Sequence, residues 1–161
     1  LDSVLSQTYE NWEVIFWDNQ STDKSADIFK SYNDSRFKYF YASEHTNLGA
    51  ARAAAFQKAQ GELIGILDVD DVWYSNKLDK QVPLFNDEDV GIVISDTLFF
   101  TDDGKVKKLY GRNNPPTGLV FDEIIGNYYC SSETLMIRKI AIDNLPLACH
   151  ELHFCFNGTN G

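Results

Sequence analysis

Asp68-Val69-Asp70-Asp71 places three carboxylates within four residues, directly after the apolar run Leu63-Ile64-Gly65-Ile66-Leu67. A short apolar run of this kind reads as a buried strand. Acidic side chains at the carboxyl end of such a strand stand where an open α/β sheet receives its ligand. Desolvating like charges side by side costs several kcal/mol unless a cation or hydrogen-bond donors meet them. The cluster therefore calls for a divalent metal: Mg²⁺ and Mn²⁺ take oxygen ligands, use one or two carboxylates, and leave their other positions to water and phosphate oxygens. An acidic turn capping the next helix is the competing reading, and Asp71 alone would satisfy it.

A second strand, Trp12-Glu13-Val14-Ile15-Phe16-Trp17, also ends in an acid, Asp18. Ser21 or Thr22 is placed to cap the amphipathic helix that carries Ile28 and Phe29, with Asp23 in its first turn at the positive end of the dipole. Asp23 is thus structural. Asp18, at the strand end itself, is able to accept hydrogen bonds from a nucleotide base or ribose, or else to form a turn by Asx bonding. From Asn47 to Gly61 the small residues predict an Ala-rich helix lying close on a sheet, with Gly61 as its stop. Arg52, near its start, suits a phosphate or a carboxylate of the acidic cluster, or an ordinary surface ion pair.

The remaining chain alternates in the same way. Asn76 to Phe85 reads as a helix that Pro83 kinks or ends, and Val90-Gly91-Ile92-Val93-Ile94-Ser95-Asp96 as a buried strand whose final acid caps a loop or faces an acceptor. Residues 101–118 are turns and loop, their Lys105, Lys107, Lys108 and Arg112 forming a solvated hairpin or flap. Leu119 to Ile125 reads as a short helix stopped by Gly126. Cys130 to Arg138 reads as a returning strand in which Ser131 or Ser132 suits an acceptor hydroxyl.

Composition narrows the classes. The chain has 161 residues, 43% of them hydrophobic, enough for one substantial core. A net charge of −10 disfavours nonspecific nucleic-acid binding and repels anionic surfaces. No run approaches the roughly 18 apolar residues that span a bilayer. Three cysteines, Cys130, Cys149 and Cys155, are too few and too odd in number for a disulfide framework and suit a reducing compartment, hence a cytoplasmic location. Cys149-His150-Glu151-Leu152-His153-Phe154-Cys155 holds zinc-type ligands without a second pair at a usual spacing, and Asn157-Gly158-Thr159 is a formal glycosylation sequon.

Several of these segments together resemble family 2 glycosyltransferases. The residues that carry the resemblance are Ser3-Val4-Leu5-Ser6-Gln7-Thr8-Tyr9, Glu13-Val14-Ile15 to Asp18, Ser21-Thr22-Asp23, Asn47-Leu48-Gly49-Ala50-Ala51-Arg52, and Leu67-Asp68-Val69-Asp70-Asp71-Val72-Trp73 with Lys77-Leu78. Their order and spacing match over residues 1 to about 140, and ordered motifs are more specific than any one of them. The resemblance implies an α/β, three-layer α/β/α nucleotide-sugar-binding domain of GT-A type with a mostly parallel sheet, over residues 1–148, followed by a divergent tail at 149–161. It also implies that Asp18, Arg52 and Asp68 bind the nucleotide, that Asp68 and Asp70 form an Asp-x-Asp motif, and that Asp70 is the direct ligand of Mn²⁺ or Mg²⁺.

By the same resemblance the reaction is the inverting transfer of a sugar from a nucleotide-diphosphate donor, UDP-linked, to the hydroxyl of a saccharide or lipid-linked acceptor, as in bacterial polysaccharide synthesis. Departures accompany it. Asn19 and Gln20 stand where members carry an acid and a Gly, and Ala53 where they carry Asn. The first strand is expected before Leu1. The general base, expected after Ile137-Arg138-Lys139, has only Glu151 as a candidate acid in 149–161, in an unlike context, and is placed outside this chain. Loss of a central strand would leave edges for self-association, and a lipid-linked acceptor would make the whole protein peripheral to the inner face of the membrane. A donor-binding domain without turnover is the alternative from another class. A nucleotidyltransferase would carry a Gly-rich phosphate loop with a basic residue near its start, which this sequence does not contain.

Overall fold

Aromatic and β-branched runs set the strands, and small or capped segments set the helices between them. The computed structural model describes residues 1–101, 103–110, 117–119 and 131–143. In chain order the elements are α1 (Asp2–Leu5), β1 (Val14–Asp18), α2 (Ser25–Ser31), β2 (Phe37–Tyr41), α3 (Leu48–Lys58), β3 (Leu63–Gly65), α4 (Lys77–Gln81), β4 (Ile92–Val93), β5 (Leu98–Phe100), β6 (Val106–Lys108), β7 (Met136–Arg138) and α5 (Lys139–Asp143). They form two compact units. One contains Tyr9–Ile64 with α5, the other Asp2–Thr8 with Gly65–Arg138.

In the first unit β1 and β2 pair in parallel, from Val14 opposite Phe37 to Asp18 opposite Tyr41. Because parallel neighbours need a crossover, α2 runs between them and buries Phe29, which is 3% exposed. Its ring stacks on Phe16 at 4.5 Å and on Phe37 at 5.4 Å. Such aromatic pairs add to the area that they bury. Helix α3 packs on β1. Glu13 ties the start of β1 to the segment after α3: its Oε1 accepts from the amides of Gln60 (2.6 Å) and Gly61 (3.1 Å), and Lys38 Nζ lies 2.5 Å from its Oε2.

The second unit opens with Gln7, 6% exposed. Its Nε2 donates to the carbonyls of Ser3 (3.0 Å) and Tyr74 (2.8 Å), and its Oε1 accepts from Leu78 N (3.1 Å). Past α4 the chain tightens into a 3₁₀ turn over Val82–Asn86 at Pro83, which lacks the amide an α-helix would use. Strands β4 and β7 pair antiparallel, Ile92 opposite Ile137 and Val93 opposite Met136, while β5 and β6 form a hairpin. Its turn is closed by Gly104, at φ 78°.

Several boundaries differ from those expected. Helix α2 begins at Ser25, past Ser21 and Thr22, because Asp23 Oδ1 accepts from Ser25 N (2.9 Å) in a local turn. Helix α3 ends at Lys58 with Ala59 extended, so Gly61 serves Glu13 instead of stopping the helix. The strands expected over 90–96 and 130–138 shorten to Ile92–Val93 and Met136–Arg138, the latter preceded by a 3₁₀ turn at Ser132–Thr134. Strands β1 and β2 are parallel, whereas β4 with β7 and β5 with β6 are antiparallel. Nearly all of the helix expected at 119–125, all three cysteines, Glu151, the sequon and the 149–161 tail lie outside the described residues.

Candidate active site

Strand β3 ends where its backbone meets an indole. A Cβ on Gly65 would lie 2.9 Å from Trp73 Cη2, so only glycine admits the ring there. Trp73 Nε1 donates to the carbonyl of Glu133 (3.0 Å), fixing the Ser132–Thr134 turn beside the acidic segment. That segment is itself a turn, closed by Asp71 N to Asp68 O at 3.1 Å. Ser132 Oγ is 3.4 Å from Asp68 Oδ2, the limit of a hydrogen bond. Asp70 is exposed beside Val69, which is 93% exposed.

The carboxyl of Asp71 sits above its ordinary value, first because it is partly buried and then because Glu133, Asp70 and Asp68 carry like charge toward it. Glu133 is thus a fourth carboxylate of the cluster, brought by the chain's return to β7. The sequence reading passed over it in favour of its Ser neighbours. A charged residue inside a run otherwise read as strand was the available signal. Glu133 is met on one side by Thr97 Oγ1, 3.5 Å from its Oε1. On another is Lys77, whose Nζ lies 4.3 Å over the Trp73 ring and donates to Gln81 Oε1. Burial pulls the Lys77 ammonium down to about 8, opposed by Glu133.

Among the described residues no three His, Cys, Asp or Glu side chains converge into a metal cage. The donor set nevertheless fits a hard cation of the Mg²⁺ or Mn²⁺ kind. Repelling carboxylates include an exposed one, Asp70, and such ions need few protein ligands when phosphate oxygens supply the others.

Asp18, in the first unit, is 1% exposed. Its Oδ1 accepts from Ser21 N (2.7 Å), its Oδ2 from Tyr39 Oη (2.5 Å), and its carbonyl from Ala42 N (2.9 Å). Burial by itself would raise this carboxyl; the bonds from Tyr39 and Ser21 and the charge of Lys30 prevail and hold it below its ordinary value. Tyr39 is pushed up to about 12 by the same hydrogen bond. Asp18 therefore anchors the turn in which Gln20 takes φ 67°, and Asn19 pins the next loop by accepting from Thr46 N (3.1 Å). Arg52 lies in α3, half-buried, after the Asn47 cap whose Oδ1 accepts from Ala50 N (2.9 Å). Asp96 caps a loop, its Oδ1 accepting from Thr97 N (3.0 Å) and Tyr110 N (3.1 Å). Ser131 is buried in the turn before β7, where its carbonyl accepts from Thr134 Oγ1 (2.7 Å).

An α/β chain with carboxylates clustered after a short strand, and a buried acid ending another, has counterparts among solved structures. It superposes on S. aureus TarS 1-349 with a TM-score of 0.71 at 20% identity, over 88% of this chain and 42% of that one, a likeness that establishes the GT-A fold. The family model for glycosyl transferase family 2 matches residues 1–145, and the chain belongs to that family. A putative teichuronic acid biosynthesis glycosyltransferase, TuaG, of Bacillus subtilis is 31% identical over 139 residues, covering 85% of this chain and 54% of the relative. A UDP-Glc:alpha-D-GlcNAc-diphosphoundecaprenol beta-1,3-glucosyltransferase, WfgD, of Escherichia coli is 28% identical over 143 residues, 89% of this chain and 55% of the relative. The chain spans about half the length of these curated relatives. No helix among the described residues is long and apolar enough to cross a membrane.

Proposed function

We propose that this chain binds the donor in a glycosyltransferase that moves a sugar from UDP to an acceptor hydroxyl with inversion, assisted by Mn²⁺ or Mg²⁺. The observation that supports the reading is the neighbourhood of Asp68, Asp70, Asp71 and Glu133, in which Asp71 is raised first by its partial burial and then by the like charge of the other three. Asp70, the exposed member, is the direct ligand, and Asp68 supports it and the nucleotide. The bound cation would neutralise charge growing on the departing diphosphate. Asp18 acts at the nucleoside end. Buried as it is, Asp18 would serve by fixing the Asn19–Ser21 turn, and Arg52 of α3 is the candidate for a phosphate contact. Relatives whose names specify teichuronic acid biosynthesis and a diphosphoundecaprenol-linked acceptor support polysaccharide synthesis on a lipid-linked or saccharide acceptor.

Calorimetry of UDP with and without Mn²⁺ tests the donor half. Asp70→Ala is expected to abolish the metal-dependent part of UDP affinity with the melting curve kept, and unchanged affinity would sink the assignment. UDP release from a UDP-sugar then separates turnover from binding alone.

A further inference from the structure

We propose that the cleft between Tyr74 and the β5–β6 hairpin is a subsite for the pyranose ring of a sugar phosphate, serving as the acceptor end of the reaction proposed above, on which reading the assignment to an acceptor rests. The cleft measures about 210 Å³ and is lined by Tyr74, Asp96, Thr97, Leu98 and Lys108. That is below the roughly 300–1,000 Å³ of pockets that enclose drug-sized ligands, and suits a single ring. Its lining supplies the three chemistries that such a ligand presents.

The flat C–H face of a pyranose packs on an aromatic ring. Tyr74 is 70% exposed, yet its backbone is held: its carbonyl accepts from Gln7 Nε2 (2.8 Å) and Lys77 N (3.0 Å), and the next carbonyl, of Ser75, accepts from Thr8 N (2.9 Å). An exposed ring on a fixed backbone loses little freedom when a ligand covers it. Sugar hydroxyls need acceptors. Asp96 commits Oδ1 to two amides, and among the described residues Oδ2 has no hydrogen bond, so a carboxylate oxygen with a fixed orientation remains for them. A phosphate needs a cation, and Lys108, exposed and opposite Leu98 in the hairpin, provides three donors. Thr97 belongs both to the cleft and, by its Oγ1 contact of 3.5 Å, to Glu133 of the acidic cluster. One side chain therefore separates the ring site from the carboxylates proposed to manage the donor diphosphate.

Titration of the ¹⁵N-labelled chain with N-acetylglucosamine 1-phosphate, N-acetylglucosamine and inorganic phosphate tests this. The sugar phosphate is expected to move the Thr97 and Tyr110 amide signals most. Tyr74→Ala should weaken its binding about tenfold, the loss of one aromatic face. Lys108→Gln should reduce the sugar phosphate to the affinity of the free sugar, and Asp96→Asn should weaken both sugars while keeping the amide caps. Equal shifts with inorganic phosphate alone, or unchanged affinity in a folded Tyr74→Ala chain, would overturn the subsite. UDP with Mn²⁺ is titrated in parallel on the parent chain. Sugar-phosphate binding without UDP binding upholds the ring site and removes the donor reading, and the converse removes the ring site alone.

Discussion

Replacing Lys77 by Met should stabilise this protein at neutral pH, and the gain should vanish on the alkaline side. Burial lowers the Lys77 ammonium from 10.5 to about 8. A gap of two and a half units at 1.36 kcal/mol each is about 3 kcal/mol against the charged form. Met keeps the length of the stem against Trp73 and removes the charge. It also forfeits the cation over the ring, about 1 kcal/mol, and the bond to Gln81, about 1 kcal/mol. The expected net gain at pH 7 is thus about 1 kcal/mol. Between pH 8 and 10.5 the unfolded chain still holds the proton that the folded chain has released, so the parent's stability rises with pH by up to about 3 kcal/mol. Lys77→Met lacks that rise, and the order of stability reverses. Urea titrations of both chains at pH 7, 8.5 and 10 read the difference directly. Tyr39, raised to about 12 by Asp18, stabilises fully below its ordinary 10.0 and loses that contribution as pH climbs through 12, but it does so in both chains. A stability difference that stays flat from pH 7 to 10, within about 0.5 kcal/mol, would refute the burial argument.

Further outcomes are expected from the same geometry. Asp18→Ala empties a buried position and takes the acceptors from Ser21 N, which is exposed, and Tyr39 Oη, which is half-buried, an expected loss of about 1–3 kcal/mol by thermal melting; a change below about 0.5 kcal/mol removes the anchor role. Because Asp18 is held below its ordinary value, its contribution is present above the unfolded pKa and fades as pH falls through the folded one, so Asp18→Asn should flatten the acid limb of the stability curve. Gly65→Ala drives a methyl into Trp73 and should cost about 1–3 kcal/mol by urea midpoint, unless the indole swings away and releases the Glu133 carbonyl. Among the described residues β1 and β2 pair only with each other, so concentration-dependent association through open strand edges is expected in sedimentation. A single monomer boundary at every concentration would exclude it.

Local chemistry was the legible part of the fold. Apolar runs leading to Asp18 and Asp68, a stretch of small residues that makes an Ala-rich helix, and a Pro that ends an α-helix each act over a few residues, and each reading recovered an element. Strand β2 escaped although Phe37-Lys38-Tyr39-Phe40-Tyr41 is almost wholly aromatic, because it carries a Lys at its second position and ends in Tyr41 instead of an acid. Its Tyr39 hydroxyl then proved to be one of the two donors on Asp18. Glu133 is marked locally only as a charge inside an otherwise strand-like run. Nothing near it in sequence announces that Asp71 will feel its charge, since that neighbourhood is made by the chain's return. Gly61 misled for a related reason: its amide answers to Glu13, 48 residues earlier, so the stop signal belonged to a tertiary bond.

Gln7 also sets a timetable. The partners of its amide, Tyr74 and Leu78, follow it by 67 and 71 residues. At a synthesis rate of about 5–20 residues per second they leave the ribosome roughly 4–14 s after it. Through that interval the nascent chain carries α1 and its polar hub with nothing to dock on, while the strands, α2 and α3 of Tyr9–Ile64 emerge behind it. Gln7 is therefore made well before it can find its place, and a chaperone or a slow codon between positions 8 and 74 would act on a segment that is out and waiting.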